Sequence, residues 1–194
     1  MDRRWWVLVS AAAMTAIQMA MPVFWTGMLP IAVVAVIVWV YRAEMAAYDL
    51  NVVKRPEFGI QVFNAVTIGI IGQAAGSILV IYGLGIQPPV KPMEASPAIV
   101  ITAVLFSAVL EEVVFRKFIF GMLKPKVGFW AAAVASSVLF ALAHHDYSAY
   151  AGFFILGIIW CKIYDRTRNV GVVIAAHILF NFIFFIVSSI RLAE

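Results

Sequence analysis

A chain of 194 residues that is 64% hydrophobic and only 12% charged is too apolar for an ordinary soluble domain, in which about a quarter of residues carry charge. Its formal charge of +4 does not imply a nucleic-acid partner, because no basic run with interleaved aromatics occurs outside the flanks of apolar segments. Cys161 is the single cysteine, which excludes an intramolecular disulfide framework and any paired-cysteine metal site and leaves helix packing as its expected role.

The fold class that follows is all-α, a polytopic transmembrane bundle of about seven spans. At roughly 20 residues per crossing the spans fall at Trp5 to Met21, Trp25 to Tyr41, Ile60 to Leu84, Ala98 to Leu123, Gly128 to His144, Ser148 to Ile163 and Gly171 to Ile190. The first resembles a signal peptide but lacks a clear small-residue cleavage site, so it is read as a retained span. No soluble domain is expected on either side of the hydrophobic part. With the N-terminus cytoplasmic, 12 of the 14 Lys and Arg residues fall on or toward the inner side, leaving Lys91 and Arg191 outside. Arg42 to Gly59 is expected as a cytoplasmic loop with a short interfacial helix. Gln87 to Pro92 is an outer loop, because its prolines remove backbone donors. That loop divides the chain into residues 1–96, three N-terminal spans and their loops, and residues 97–194, a four-span core that holds the ionisable groups.

The third span carries Gly69, Gly72, Gly76, Gly83 and Gly85, and Gly72-Gln-Ala-Ala-Gly76 matches a small-xxx-small pattern suited to close helix packing within the chain or between chains, while oligomeric state is not legible. Gln18, Asn64 and Gln73 are expected to hydrogen-bond between helices. The fourth span is costlier. Glu111, Glu112 and Arg116 lie well inside its apolar run, where a charged side chain costs roughly 2.5 to 3.5 kcal/mol and therefore marks a functional site by default. Glu112 and Arg116 are i, i+4 and share a helix face, so an internal ion pair can hold one carboxylate and leave Glu111 for chemistry. His144 ends the fifth span behind Phe140, and His177 and Asn181 share a face of the seventh. These groups most simply find polar company in one another. His145 and Asp146 read as solvated loop residues. One difficulty stands against the cluster. On straight helices His144 would lie about 24 Å above Gly128 and His177 only about 9 Å above Gly171.

Glu111-Glu112-xxx-Arg116, Phe140-xxx-His144 and His177-xxx-Asn181, in that order on successive spans, resemble the motifs of the CPBP intramembrane proteases. This is the CAAX protease and bacteriocin-processing (Abi) family, which includes the type II CAAX prenyl endopeptidases. Phe154-Ile-Leu-Gly157 and Asp165-Arg-Thr167 fit the same pattern, and the likeness covers about Thr102 to Phe185. The resemblance implies a glutamic-type intramembrane endopeptidase of a bacterial or archaeal membrane that uses no cofactor. It implies Glu111 as general base, His144 positioning the attacking water, and His177 with Asn181 stabilising the oxyanion. Glu112, Arg116 and Phe140 are expected to support these groups from behind, and no residue is assigned to a metal. The implied partners are the lipid bilayer and a membrane-associated protein or peptide substrate, of the prenylated, leader-peptide or C-terminal sorting-signal kind. Three readings compete: a zinc protease built on Glu111, His144 and His177, an ion pathway lined by the same residues, and a non-catalytic immunity or binding protein.

Overall fold

The computed structural model describes residues 6–10, 13, 23–86, 103–144 and 146–191, and among these every regular element is helical. Residues 6–10 are helical, and Val7 packs into the core beside Val33, Ile37 and Tyr41 of α1, Val23–Ala46. After α1 the Asp49 carboxylate accepts the Asn51 N–H at 3.0 Å and caps a short 3-10 turn, Leu50–Lys54. Pro56 then opens α2, Pro56–Ile78, at the position where its missing N–H costs nothing, and a π-type turn extends it through Leu79–Gly83. The loop expected from Arg42 to Gly59 is therefore shorter than its charges suggest, because Arg42 and Glu44 still belong to α1. The proline loop at 87–92 and Gln18 lie outside the described residues.

α3 is a single helical run of changing pitch: π-type at Ala103–Ser107, α at Ala108–Glu111, and π-type again at Glu112–Phe120. It leads directly into α4, Gly121–Leu142, which takes in the boundary between the fourth and fifth expected spans. The two remain separate arms. Gly128 has φ 82°, which a helix does not allow, and Pro125 sits just before it. Ring contacts pair Phe120 with Phe129 at 5.6 Å and Phe115 with Phe140 at 5.4 Å, whereas a straight helix would separate the second pair by about 37 Å. The Ser136 hydroxyl donates to the Phe115 carbonyl at 2.7 Å and pins the arms together.

α5, Tyr150–Thr167, follows a 3-10 turn at Tyr147–Ala149, and α6, Val170–Arg191, completes the described chain. Arg168 closes α5 in the left-handed region at φ 53°, its N–H donating to the Tyr164 carbonyl at 2.8 Å. Among the described residues three stretches are long and apolar enough to cross a membrane: Pro56–Gly83, Val104–Leu142 and Val170–Val187. The chain is an integral membrane protein built of helices.

The glycines of the third expected span are used inside the chain. Gly69 faces Leu156 and Trp160, Gly72 faces Ile155 and Ile159, and Gly76 meets the backbone of Gly152, all on α5. A Cβ at Gly76 would sit 2.4 Å from the Gly152 nitrogen, closer than any side chain can stand. The other polar expectations fare differently. Asn64 is exposed instead of bonded between helices, while Gln73 is buried against Gly152 with its carbonyl oxygen lacking a hydrogen-bond partner among the described residues. We expect Gly76→Leu to lower stability by about 1 to 3 kcal/mol, the usual cost of overpacking. Gly59→Leu, where nothing lies within 4 Å, should be close to neutral in the same thermal unfolding measurement in detergent.

Candidate active site

The site is assembled by one helix-geometry fact: adjacent residues on a helix point in different directions, so Glu111 and Glu112 enter different environments. Glu112 points inward and is fully buried. One of its carboxylate oxygens lies 3.2 Å from the Arg116 Nε, in a pair with neither side chain exposed. The other accepts a hydrogen bond from the His177 Nδ1 at 2.8 Å, which ties α3 to α6. The Arg116 guanidinium lies 4.2 Å from the Phe140 ring centre and 5.3 Å from that of Trp160, so aromatic faces supply the attraction that water would otherwise provide. Its two terminal nitrogens have no hydrogen-bond partner among the described residues.

Glu111 faces the other way, toward both histidines. Its Oε2 lies 3.8 Å from the His144 Nε2 and 3.9 Å from the His177 Nε2, and makes no hydrogen bond to a described residue. The side chains of Glu111 and His144 retain 23% and 25% of their exposure, against none for Glu112 and Arg116, so Glu111 is the less enclosed of the two glutamates.

The ring nitrogens can be assigned from their partners. The Phe140 carbonyl 2.8 Å from the His144 Nδ1 can only accept, so that nitrogen carries a proton. His177 likewise donates its Nδ1 proton to Glu112, which Arg116 pairs as a carboxylate. Both rings consequently turn their Nε2 toward the same Glu111 oxygen. The gaps of 3.8 and 3.9 Å are too long for direct hydrogen bonds and suit one bridging water.

Aromatic rings hold this arrangement still. Phe153 stacks on His144 at 3.9 Å, and Phe140 lies 4.7 Å from His144 and 6.3 Å from His177. Trp160, fully buried, packs 4.5 Å from His177 and 5.8 Å from Phe180. Trp160 and Phe153 were not among the residues expected from sequence. A tryptophan three residues from the expected end of a span reads as a member of an interfacial belt, which masked its role. Asn181 lies one turn beyond His177 on α6, half-buried, with no hydrogen bond to another described residue. Asp146 is not simply solvated, since its carboxylate accepts from the Ser148 N–H at 3.0 Å and from the Ser148 hydroxyl. His145 lies outside the described residues.

The height mismatch expected between His144 and His177 is absent. Both rings reach one oxygen, so α4 and α6 do not start level, and counting residues from Gly128 and Gly171 misplaced one against the other. A cavity of about 500 Å3 occupies the opposite end of the bundle, lined in part by Tyr41, Lys117, Lys124, Tyr164 and Arg168, and does not include Glu111 or either histidine.

Residues 93–183 match the family model described as type II CAAX prenyl endopeptidase Rce1-like. This stretch, just under half of the chain, is similar to the Rce1-like family. The Rce1-like region contains every candidate residue from Glu111 to Asn181. The chain is 34% identical over 113 residues to "Putative membrane peptidase YdiL" of Bacillus subtilis (strain 168), an alignment covering 55% of this chain and 46% of that protein. It is 36% identical over 91 residues to "Membrane-embedded CAAX protease MroQ" of Staphylococcus aureus (strain USA300), covering 44% of this chain and 37% of that protein. The chain thus aligns with less than half the length of either relative. No solved structure matches it.

Removing one partner of the buried pair strands the other charge. Arg116→Met is expected to destabilise the protein by about 3 to 5 kcal/mol, and adding Glu112→Gln should restore part of the loss. Thermal unfolding of the two variants in detergent measures both steps.

Proposed function

We propose that the protein is an intramembrane endopeptidase in which Glu111 activates a water for attack on a peptide bond of a membrane-associated protein or peptide. The observation that carries this reading is the Glu111 Oε2 itself: buried, unbonded, and set just beyond direct contact with two imidazole nitrogens. A water in that gap donates one proton to Glu111 and the other to the His144 Nε2. As it attacks, Glu111 takes the proton, which it later delivers to the leaving amine. The donors for the oxyanion are the Asn181 amide and the His177 Nε2, the latter once a proton resides there.

The match of residues 93–183 to the Rce1-like family model and the names of the two relatives support peptidase activity, and the placement of two imidazoles around one Glu111 oxygen supports the roles of Glu111, His144 and His177. About seven spans with a cytoplasmic N-terminus, and residues 97–194 as the catalytic core in a bacterial or archaeal membrane, complete the reading. The zinc alternative draws on the same atoms: each histidine donates its Nδ1 proton to an oxygen and presents Nε2 inward, as metal-ligating histidines do. Spacings of 3.8 and 3.9 Å are wider than the roughly 3.3 Å expected between tetrahedral ligands about 2.05 Å from zinc. Among the described residues no three His, Cys, Asp or Glu side chains form a metal-holding group.

Glu111→Gln should abolish cleavage while leaving the unfolding temperature close to that of the parent. Comparing the cleaved termini of the membrane proteome in cells carrying each form is the test, and retained cleavage refutes Glu111 as base. Asn181→Ala is expected to reduce turnover about 100- to 1,000-fold, the usual loss for one oxyanion donor. Activity that survives exhaustive chelation, with no metal in the purified protein, removes the zinc reading.

A further inference from the structure

The cavity of about 500 Å3 is walled by three helix ends. Tyr41 and Glu44 come from the last turns of α1, several residues between Lys117 and Pro125 from the passage of α3 into α4, and Tyr164, Asp165 and Arg168 from the end of α5. Lysine, arginine and tyrosine at the ends of membrane helices sit where hydrocarbon gives way to water, which places this cavity at the level of the lipid headgroups.

Its charges do not balance. Three cations, Lys117, Lys124 and Arg168, line it against two carboxylates, Glu44 and Asp165. Lys117 pairs with Glu44 and lies 4.5 Å over the Tyr41 ring, whereas Lys124 and Arg168 share Asp165, with Arg168 at 3.6 Å. No lining carboxylate therefore serves Arg168 alone, and its side chain keeps 76% of its exposure. Arg168 also stands in the left-handed region at φ 53°, where glycine or asparagine closes a helix more easily, so backbone geometry does not account for an arginine there. Behind the charges the wall is apolar, with Phe118 and Phe120 buried and Met122 beside them.

We propose that this cavity binds the phosphate-bearing headgroup of an anionic phospholipid. The planar N–H donors of Arg168 match two phosphate oxygens, and the surplus positive charge of the lining favours an anion. The space is far larger than one phosphate group, and its aromatic wall suits the glycerol and first acyl carbons that a lipid brings with it. Basic pockets between membrane helices hold anionic headgroups in this way. An occupant touching α1, the α3–α4 passage and α5 at once stabilises the folded bundle by mass action, independently of any peptidase activity.

The test is thermal unfolding of the purified full chain in non-ionic detergent, titrated with dioleoyl phosphatidylglycerol or with dioleoyl phosphatidylcholine. Phosphatidylglycerol should raise the unfolding temperature saturably and phosphatidylcholine should not. Arg168→Gly, which suits the left-handed backbone, should need about fivefold more phosphatidylglycerol for half the effect, the contribution of one cation near an anionic membrane surface. Arg168→Lys should keep most of the response. Lys124→Gln leaves Asp165 to Arg168 and so removes the surplus charge by a second route, with the same expected weakening. Lys54→Gln deletes an exposed cation outside the lining and should titrate like the parent. Unchanged titrations of both Arg168→Gly and Lys124→Gln, an equal weakening in Lys54→Gln, or no difference between the two lipids overturns the site. A full shift from inorganic phosphate alone overturns the lipid as its source.

Discussion

A buried charge in an apolar bundle must find its counter-charge inside the protein, and the Arg116–Glu112–His177 chain is how this molecule meets that constraint. The pair is free of solvent, and its second oxygen is taken by an imidazole from another helix. The chain therefore does more than neutralise charge, because it holds α3 against α6 and sets which His177 nitrogen faces the site. Glu111, one residue earlier and rotated to another face, has no arginine beside it and only faces the His177 Nε2 across 3.9 Å. Two chemically identical side chains thus acquire different surroundings from their angular positions on a helix that places one against Arg116 and the other toward the Nε2 atoms of His144 and His177.

Packing supplies the precision that hydrogen bonds alone do not. α5 runs through the centre, its Gly152 against Gly76 of α2 and its Gly157 against Ser137 of α4, and this closeness lets Trp160 and Phe153 reach the two histidines from the same helix. The hairpin of α3 and α4 is the second device. By folding back at Gly128 it sets Phe140 beside Phe115 and brings His144 level with Glu111, although 33 residues separate the last two in the chain. The cost of approach is borne by small residues, and the benefit is an aromatic wall around the two histidines.

The ionisable residues were legible because the membrane makes them conspicuous: Glu111, Glu112, Arg116 and His177 stand out in apolar runs, and i, i+4 spacing paired Glu112 with Arg116 before any coordinates. The small-residue face of α2 was legible too, but not its partner, since glycines mark a close approach without naming what approaches. Asn64, which the same logic placed between helices, is exposed, because polarity says nothing about which face of a helix turns inward. Trp160 was missed for a related reason: an aromatic among aromatics carries no signal of its own.

What the amino-acid order determined by itself was local and periodic: helical segments, an excess of basic residues in alternate turns, and the carboxylate with an arginine four residues on, all consequences of hydrophobicity and the 3.6-residue repeat. Tertiary structure alone decided the depth at which each helix begins, hence that two histidines from arms of unequal rise face one oxygen. It also decided that Glu112 bonds His177 as well as Arg116. The reason is physical: rise along a helix is set by covalent geometry, whereas the offset between helices is set by side-chain packing among residues distant in sequence.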